Sequence, residues 1–431
     1  MDKPDTDSGA PAEAGGLESA AEGPDGAPAS PDRFPGLDGV RALAALAVVM
    51  THVGFVTGAA IVGPFHGVLS RLDLGVAVFF VLSGFLLHRP QVLATLRGRA
   101  LPAVRPYLWR RALRVLPAAW VAVVLVALLL PYDQPLSGWL RQGTLTAIYS
   151  PGPSVRGLTQ LWSLATEISF YVALPLLGRL AARGARPETV LRRQLGLCAG
   201  MYAVALAWQW CVGGGLLAAH LGYWLPAHAD WFALGMALAA LSATAEVRGS
   251  RSWDTLGQLA DDAGSCWLAA GALFAVATTP LAGPYQLTLL DRSQALSRTL
   301  LYGAIATLLV LPAVAGAREG GLVRAVLASR PAQFLGRISY GVFLLHLLVI
   351  ELLARVLDIQ LFDGHLLLMT VLTLPLAVLA GWGSLHLVEQ PALRWRDRGP
   401  GRRRPGAGEG PGAVPGEGPG AQQPAPAAAT G

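Results

Sequence analysis

The sequence predicts an all-α integral membrane protein: one bundle of about ten transmembrane helices, with both termini in the cytoplasm. Three observations carry that prediction. Of the 431 residues, 53% are hydrophobic and only 14% charged, whereas a soluble domain carries about 25% charged residues. The apolar residues fall in repeated runs of roughly twenty, the length that crosses about 30 Å of hydrocarbon. Arginines concentrate in alternate loops between those runs, the asymmetry that orients a polytopic chain.

In chain order, residues 1–32 are rich in Ala, Gly, Pro, Asp and Glu and contain no apolar run. A disordered acidic tail is predicted there, and it lacks the basic start and apolar core of a signal peptide. The membrane domain is expected over 33–396. Its spans lie near 39–58, 74–90, 113–131, 158–178, 195–213, 226–243, 264–283, 299–316, 334–356 and 366–388. One set of alternate loops carries Arg89 to Arg111, Arg179 to Arg193, Arg248 with Arg251, and Arg318 to Arg330. The other set carries only Arg71, Arg141, Arg156, Arg292 and Arg298. The richer set is assigned to the cytoplasm. Residues 397–431 form a Pro/Gly/Ala-rich tail behind Arg402 to Arg404, so no appended soluble esterase-like domain is expected.

The net charge of +6 does not argue for nucleic acid, because the arginines flank spans and topology accounts for them. The partner that composition implies is the lipid bilayer. Cys198, Cys211 and Cys266 all lie in apolar stretches, with neither a disulfide framework nor metal-ligand spacing. No metal site is expected.

Ionisable residues inside spans are costly and usually functional. In the first span, GVRALAALAVVMTHVGF, Arg41 precedes His52 by eleven residues. On a helix, eleven residues return to within about 20° of the starting face and rise about 16 Å. Alone, Arg41 reads as a topogenic charge and His52 as a satisfied interior histidine placed near mid-membrane; their common face favours a shared role. Ser83-Gly84 in the second span reads as a close helix contact. In RRALRVLP, Arg111 and Arg114 lie three apart on one helix face, either as membrane anchors or as a guanidinium pair suited to phosphate. The fourth span opens LWSLATEISFYVALPLL, which puts Glu167 about two turns into an apolar helix beside Trp162 and Ser163. A structural salt bridge is its plain reading.

As a set, these residues resemble a family. Arg41 with His52, FFVLSGF at 79–85, RRALR-LP at 110–117, LWSLATE–FY at 161–171, GRISYGVFLLH at 336–346 and LVEQP at 387–391 occur in an order similar to that of the acyltransferase-3 family. Members of that family are polytopic bacterial membrane enzymes that O-acylate sugars, envelope polymers and macrolide-type antibiotics. The resemblance covers roughly 33–396. It implies that Arg41 and His52 are an essential first-helix pair and that Arg111 and Arg114 bind the acyl-CoA donor. It also implies that Trp162 and Glu167 belong to a fourth-helix signature, with Ser83, Tyr340, His346 and Glu389 at other recurrent positions. This chain departs from the pattern at Ala77, where many relatives have an acidic residue; Asp73 lies one turn earlier. It departs again at Ile168, and at FLLHLL, which lacks a Trp and a Pro.

The resemblance implies acyl-CoA as co-substrate with no bound cofactor. The acceptor would be a hydroxyl-bearing small molecule or glycan, and the location the bacterial cell membrane. An alcohol attacking a thioester must lose its proton, and histidine is the commonest base for that task. His52 is assigned the role. Glu167 either orients His52 or binds the acceptor. The donor is expected in a continuous cavity open to the cytoplasm and lined by Arg41 and His52. A polytopic transporter is the alternative, but the internal repeats typical of transporters are absent from the sequence. A non-catalytic scaffold would not need these buried charges.

Overall fold

Ten long helices occupy the ten predicted spans in a computed structural model that describes Phe34 and residues 36–395, apart from 153–154, 286–287 and 317–319. They are α1 Gly36–Val56, α2 Gly75–Leu96, α3 Val104–Leu129, α4 Leu161–Ala182 and α5 Val190–Gly213, then α6 Ala229–Arg248, α7 Ala263–Ala277, α8 Arg292–Val314, α9 Arg330–Val356 and α10 Leu366–Ser384. No strand occurs among the described residues. The tails predicted at 1–32 and 397–431, including Arg402 to Arg404, lie outside the described residues, as does Arg318.

Eight of these helices are individually long and apolar enough to cross a membrane. α7 reaches that length only together with the preceding helix Arg251–Asp261, from which it bends by 82°. The bend falls at Asp262, whose carboxylate accepts the Ser265 amide at 3.1 Å and restarts the helix as its N-cap. α6 falls outside the apolar set and carries Asp230 and Glu246. α3 begins nine residues earlier than the predicted span, so the RRALR segment is helical and Arg111 and Arg114 do share a face.

Small residues set the closest approaches, as expected where no hydrophobic effect drives helices together. Gly84 on α2 and Gly235 on α6 interlock: a Cβ on either would overlap a backbone carbonyl of the other helix, Phe232 or Val81. Phe232 stacks between Phe80 and Phe170 at 4.4 and 4.1 Å beside that crossing. α1 and α9 run parallel, because Gly336 abuts Asp38 near the start of both and His346 meets His52 further along both. Beyond their ends, the Phe362 amide donates to the Val56 carbonyl at 2.8 Å and the Gly364 amide to Thr57 at 3.0 Å. The α9–α10 loop is thereby fastened to the end of α1.

Candidate active site

The predicted residues gather in three groups along the bundle. At the arginine-rich end, Arg114 on α3 pairs with Glu389 at 3.1 Å and lies 5.9 Å from the Tyr340 ring. Tyr340 on α9 donates its hydroxyl to the Val115 carbonyl at 2.7 Å, and Ser384 donates to Glu389 at 3.1 Å. Glu389 closes a widened π-type turn, Leu385–Glu389. Pro391 explains that turn, since it has no N–H for the Leu387 carbonyl and its ring crowds that oxygen. Three residues from three distant motifs therefore form one ion-pair cluster. Arg41, on the same end of α1, pairs with Asp38 at 3.0 Å.

Deeper in the bundle, Ser83 on α2 donates its hydroxyl to Glu167 on α4. Tyr171 lies one helical turn past Glu167 on the same helix face. The buried Nε of Arg111 has no hydrogen-bond partner among the described residues. Ser83 and Gly84 thus divide two tasks, a carboxylate contact and a helix contact. Trp162 and Ser163 stand apart from the charges. The Trp162 ring packs on Tyr223 and His228 at 5.3 and 5.2 Å, while Ser163 donates to the Gln160 carbonyl at 3.1 Å.

The third group holds the two histidines. His52 is half-buried one turn before the end of α1, nearer the distal end of the helix than its middle. Its Nδ1 lies 2.8 Å from the Val48 carbonyl oxygen and 3.2 Å from His346 Nε2. His346 is fully buried, and its Nδ1 lies 2.6 Å from the Phe343 carbonyl. His52 Nε2 has no hydrogen-bond partner among the described residues. Glu167 does not hydrogen-bond His52; the ring's partners are Val48 and His346.

Asp73 takes an ion pair from Arg298 and accepts the Tyr302 hydroxyl at 2.5 Å. In the sequence, Arg298 reads only as a loop arginine and Tyr171 only as the end of a motif, and Tyr302 is given no role. The available signal was spacing: Arg298 and Tyr302, like Glu167 and Tyr171, are four apart on one helix face.

Two cavities are apolar and distinct from these groups. One, of about 680 Å³, is lined by Phe55, Gly58, Ile61, Val62 and Phe362. The other, of about 460 Å³, is lined by Leu43, Met50, Trp267, Phe274 and Ile305 and opens on the face of α1 opposite Arg41 and His52. Neither is the donor channel expected around Arg41 and His52. Among the described residues, no group of three or more His, Cys, Asp or Glu side chains is placed to hold a metal.

Comparison with known proteins adds what geometry does not. No solved structure matches the chain. YrhL of Bacillus subtilis, provisionally named a peptidoglycan O-acetyltransferase, is 30% identical over 164 residues, 33% of this chain and 23% of YrhL. The O-acetyltransferase OatA of Staphylococcus aureus is 26% identical over 179 residues, 38% of this chain and 28% of OatA. The peptidoglycan O-acetyltransferase OatA of Listeria monocytogenes is 28% identical over 157 residues, 33% of this chain and 23% of its own length. The chain thus spans about a quarter of the length of these curated relatives. The family model described as an acyltransferase domain matches residues 34–382, from the start of α1 into α10. With that match covering most of the membrane bundle, the chain belongs to the acyltransferase-3 family.

Proposed function

We propose that this protein is a bacterial cell-membrane O-acyltransferase that moves a short acyl group from acyl-CoA to a hydroxyl of a glycan or macrolide-type metabolite. His52 carries the reading. The Val48 carbonyl can only accept a hydrogen bond, so neutral His52 keeps its proton on Nδ1 and presents a lone pair on Nε2. That nitrogen suits removal of a proton from an acceptor hydroxyl. Arg111, whose buried Nε is unpartnered, and Arg114 are suited to the phosphates of CoA at the arginine-rich end. Arg41 lies at the same end of the first helix, and Glu167 lies deeper in the bundle with Ser83. Among acceptors, an envelope glycan is favoured, because two of the three named relatives carry the name peptidoglycan O-acetyltransferase.

The test is acyl transfer by His52→Ala in purified membranes. Folded, inserted protein should show a rate lower by about two to four orders of magnitude, the usual worth of general-base catalysis. Near-normal turnover sinks the assignment. Mass spectrometry of glycan and metabolite extracts with and without the gene then identifies acyl group and acceptor together.

A further inference from the structure

We infer that His346 is the positioning residue of the reaction, a neutral hydrogen-bond acceptor that holds His52 in its base-competent tautomer and stabilises the imidazolium it becomes. The inference rests on His52 being the base, and it is argued from proton bookkeeping across three contacts.

A carbonyl oxygen only accepts. The 2.6 Å contact from His346 Nδ1 to the Phe343 carbonyl therefore puts a proton on Nδ1 of His346. Likewise, the 2.8 Å contact from His52 Nδ1 to Val48 puts a proton on Nδ1 of His52. The remaining contact, His346 Nε2 to His52 Nδ1 at 3.2 Å, then has one consistent assignment. His52 Nδ1–H is the donor, shared between Val48 and His346, and His346 Nε2 is the acceptor. A doubly protonated His346 would oppose N–H to N–H at that contact. The rings are 5.0 Å apart and inclined by 55°, and His346 is completely buried on α9, so its lone pair is held in one place.

During transfer, the acceptor oxygen gives its proton to His52 Nε2 and its electron pair to the thioester carbonyl carbon. The C–S bond then breaks, and the thiolate takes the proton back from His52, leaving ester and free thiol. Between those proton transfers His52 is an imidazolium whose Nδ1–H points at His346. His346 thus occupies the place that a carboxylate holds behind the histidine of a hydrolytic triad, with a neutral lone pair instead of a charge. The arrangement fits an apolar interior, where an additional buried carboxylate would be costly. α9 aims the acceptor and α1 the base, and their glycine contact at Gly336 fixes the register between them.

The experiment compares His346→Leu, His346→Gln and His346→Asn in the wild-type and His52→Ala backgrounds, reading acyl transfer against acyl-CoA concentration. Glutamine places an amide oxygen where Nε2 stood, whereas asparagine mimics Nδ1. The Leu and Asn variants should lose about 10- to 100-fold in kcat, on the scale found when a partner orienting a metal-ligating histidine is removed. KM for acyl-CoA should change less than about twofold, since His52 and His346 lie away from the donor arginines, and Gln should restore most of the rate. In the His52→Ala background, His346→Leu should cost nothing further. A Gln variant as slow as Leu, an equal loss in both backgrounds, or a near-normal Leu variant overturns the inference. If His52→Ala itself turns over normally, the underlying assignment of the base fails instead. Elution of each variant as a single detergent-solubilised species separates catalytic loss from misfolding.

Discussion

Glu389 is buried and Arg114 is its charged partner, so the two side chains should respond to mutation as a unit. Sequence pattern alone puts Arg114 and Arg111 on one helix face, either as membrane anchors or as a pair suited to phosphate. The structure adds a carboxylate to one member and leaves the other with an unpartnered buried Nε. Removing Arg114 therefore strands a buried carboxylate. Breaking a fully buried pair costs about 3–5 kcal/mol. Arg114 is 38% exposed, so about 1–3 kcal/mol is expected for Arg114→Met after allowing for solvent screening. The double variant Arg114→Met/Glu389→Gln should recover most of that loss, because it strands no charge. Thermal unfolding in detergent checks this: a double variant no more stable than the single one would show that the pair is not a structural unit.

At the scale of helices, the crossing of α2 and α6 is set by glycines rather than by large side chains. A methyl group at Gly84 would collide with the Phe232 carbonyl, which is backbone and cannot rotate away. Gly84→Ala should therefore destabilise by about 1–3 kcal/mol, the range for overpacking a filled contact. Gly196→Ala on α5 is the matched control, since a Cβ there meets nothing within 4 Å. It should be neutral or stabilising by up to about 1 kcal/mol through helix propensity. Equal Tm shifts for the two would argue against close α2–α6 packing. The crossing matters to the site because Ser83, adjacent to Gly84, carries the contact to Glu167. A displaced α2 should therefore slow acyl transfer as well.

For the whole molecule, loop charge and helix order make an orientation testable. The end bearing Arg41, Arg111 and Arg114 should face the cytoplasm, where acyl-CoA is made available, and His52 should lie towards the opposite side. In a background with Cys198, Cys211 and Cys266 replaced by alanine, Asp133→Cys and Glu188→Cys each put an exposed thiol in a loop at opposite ends of the bundle. A membrane-impermeant maleimide added to intact cells should label Asp133→Cys and should reach Glu188→Cys only after permeabilisation. The reverse pattern would invert the bundle and remove the proposed route for the donor.

The amino-acid sequence by itself determined everything that one helix settles alone. Apolar runs placed the ten helices, and fixed rotation per residue put Arg41 and His52, and Arg111 and Arg114, on common faces. Those features are local because backbone hydrogen bonds set helix geometry wherever the chain is helical. The tertiary structure decided which faces meet: His52 with His346, 294 residues apart, Ser83 with Glu167, Arg114 with Glu389, and Asp73 with Arg298. Within α1, it places His52 nearer the end at Val56 than the middle of the helix. Hydropathy could not choose these partners, since ten apolar helices present nearly interchangeable surfaces. Their order in space follows from where glycines allow backbones to touch and where each buried polar group finds its complement.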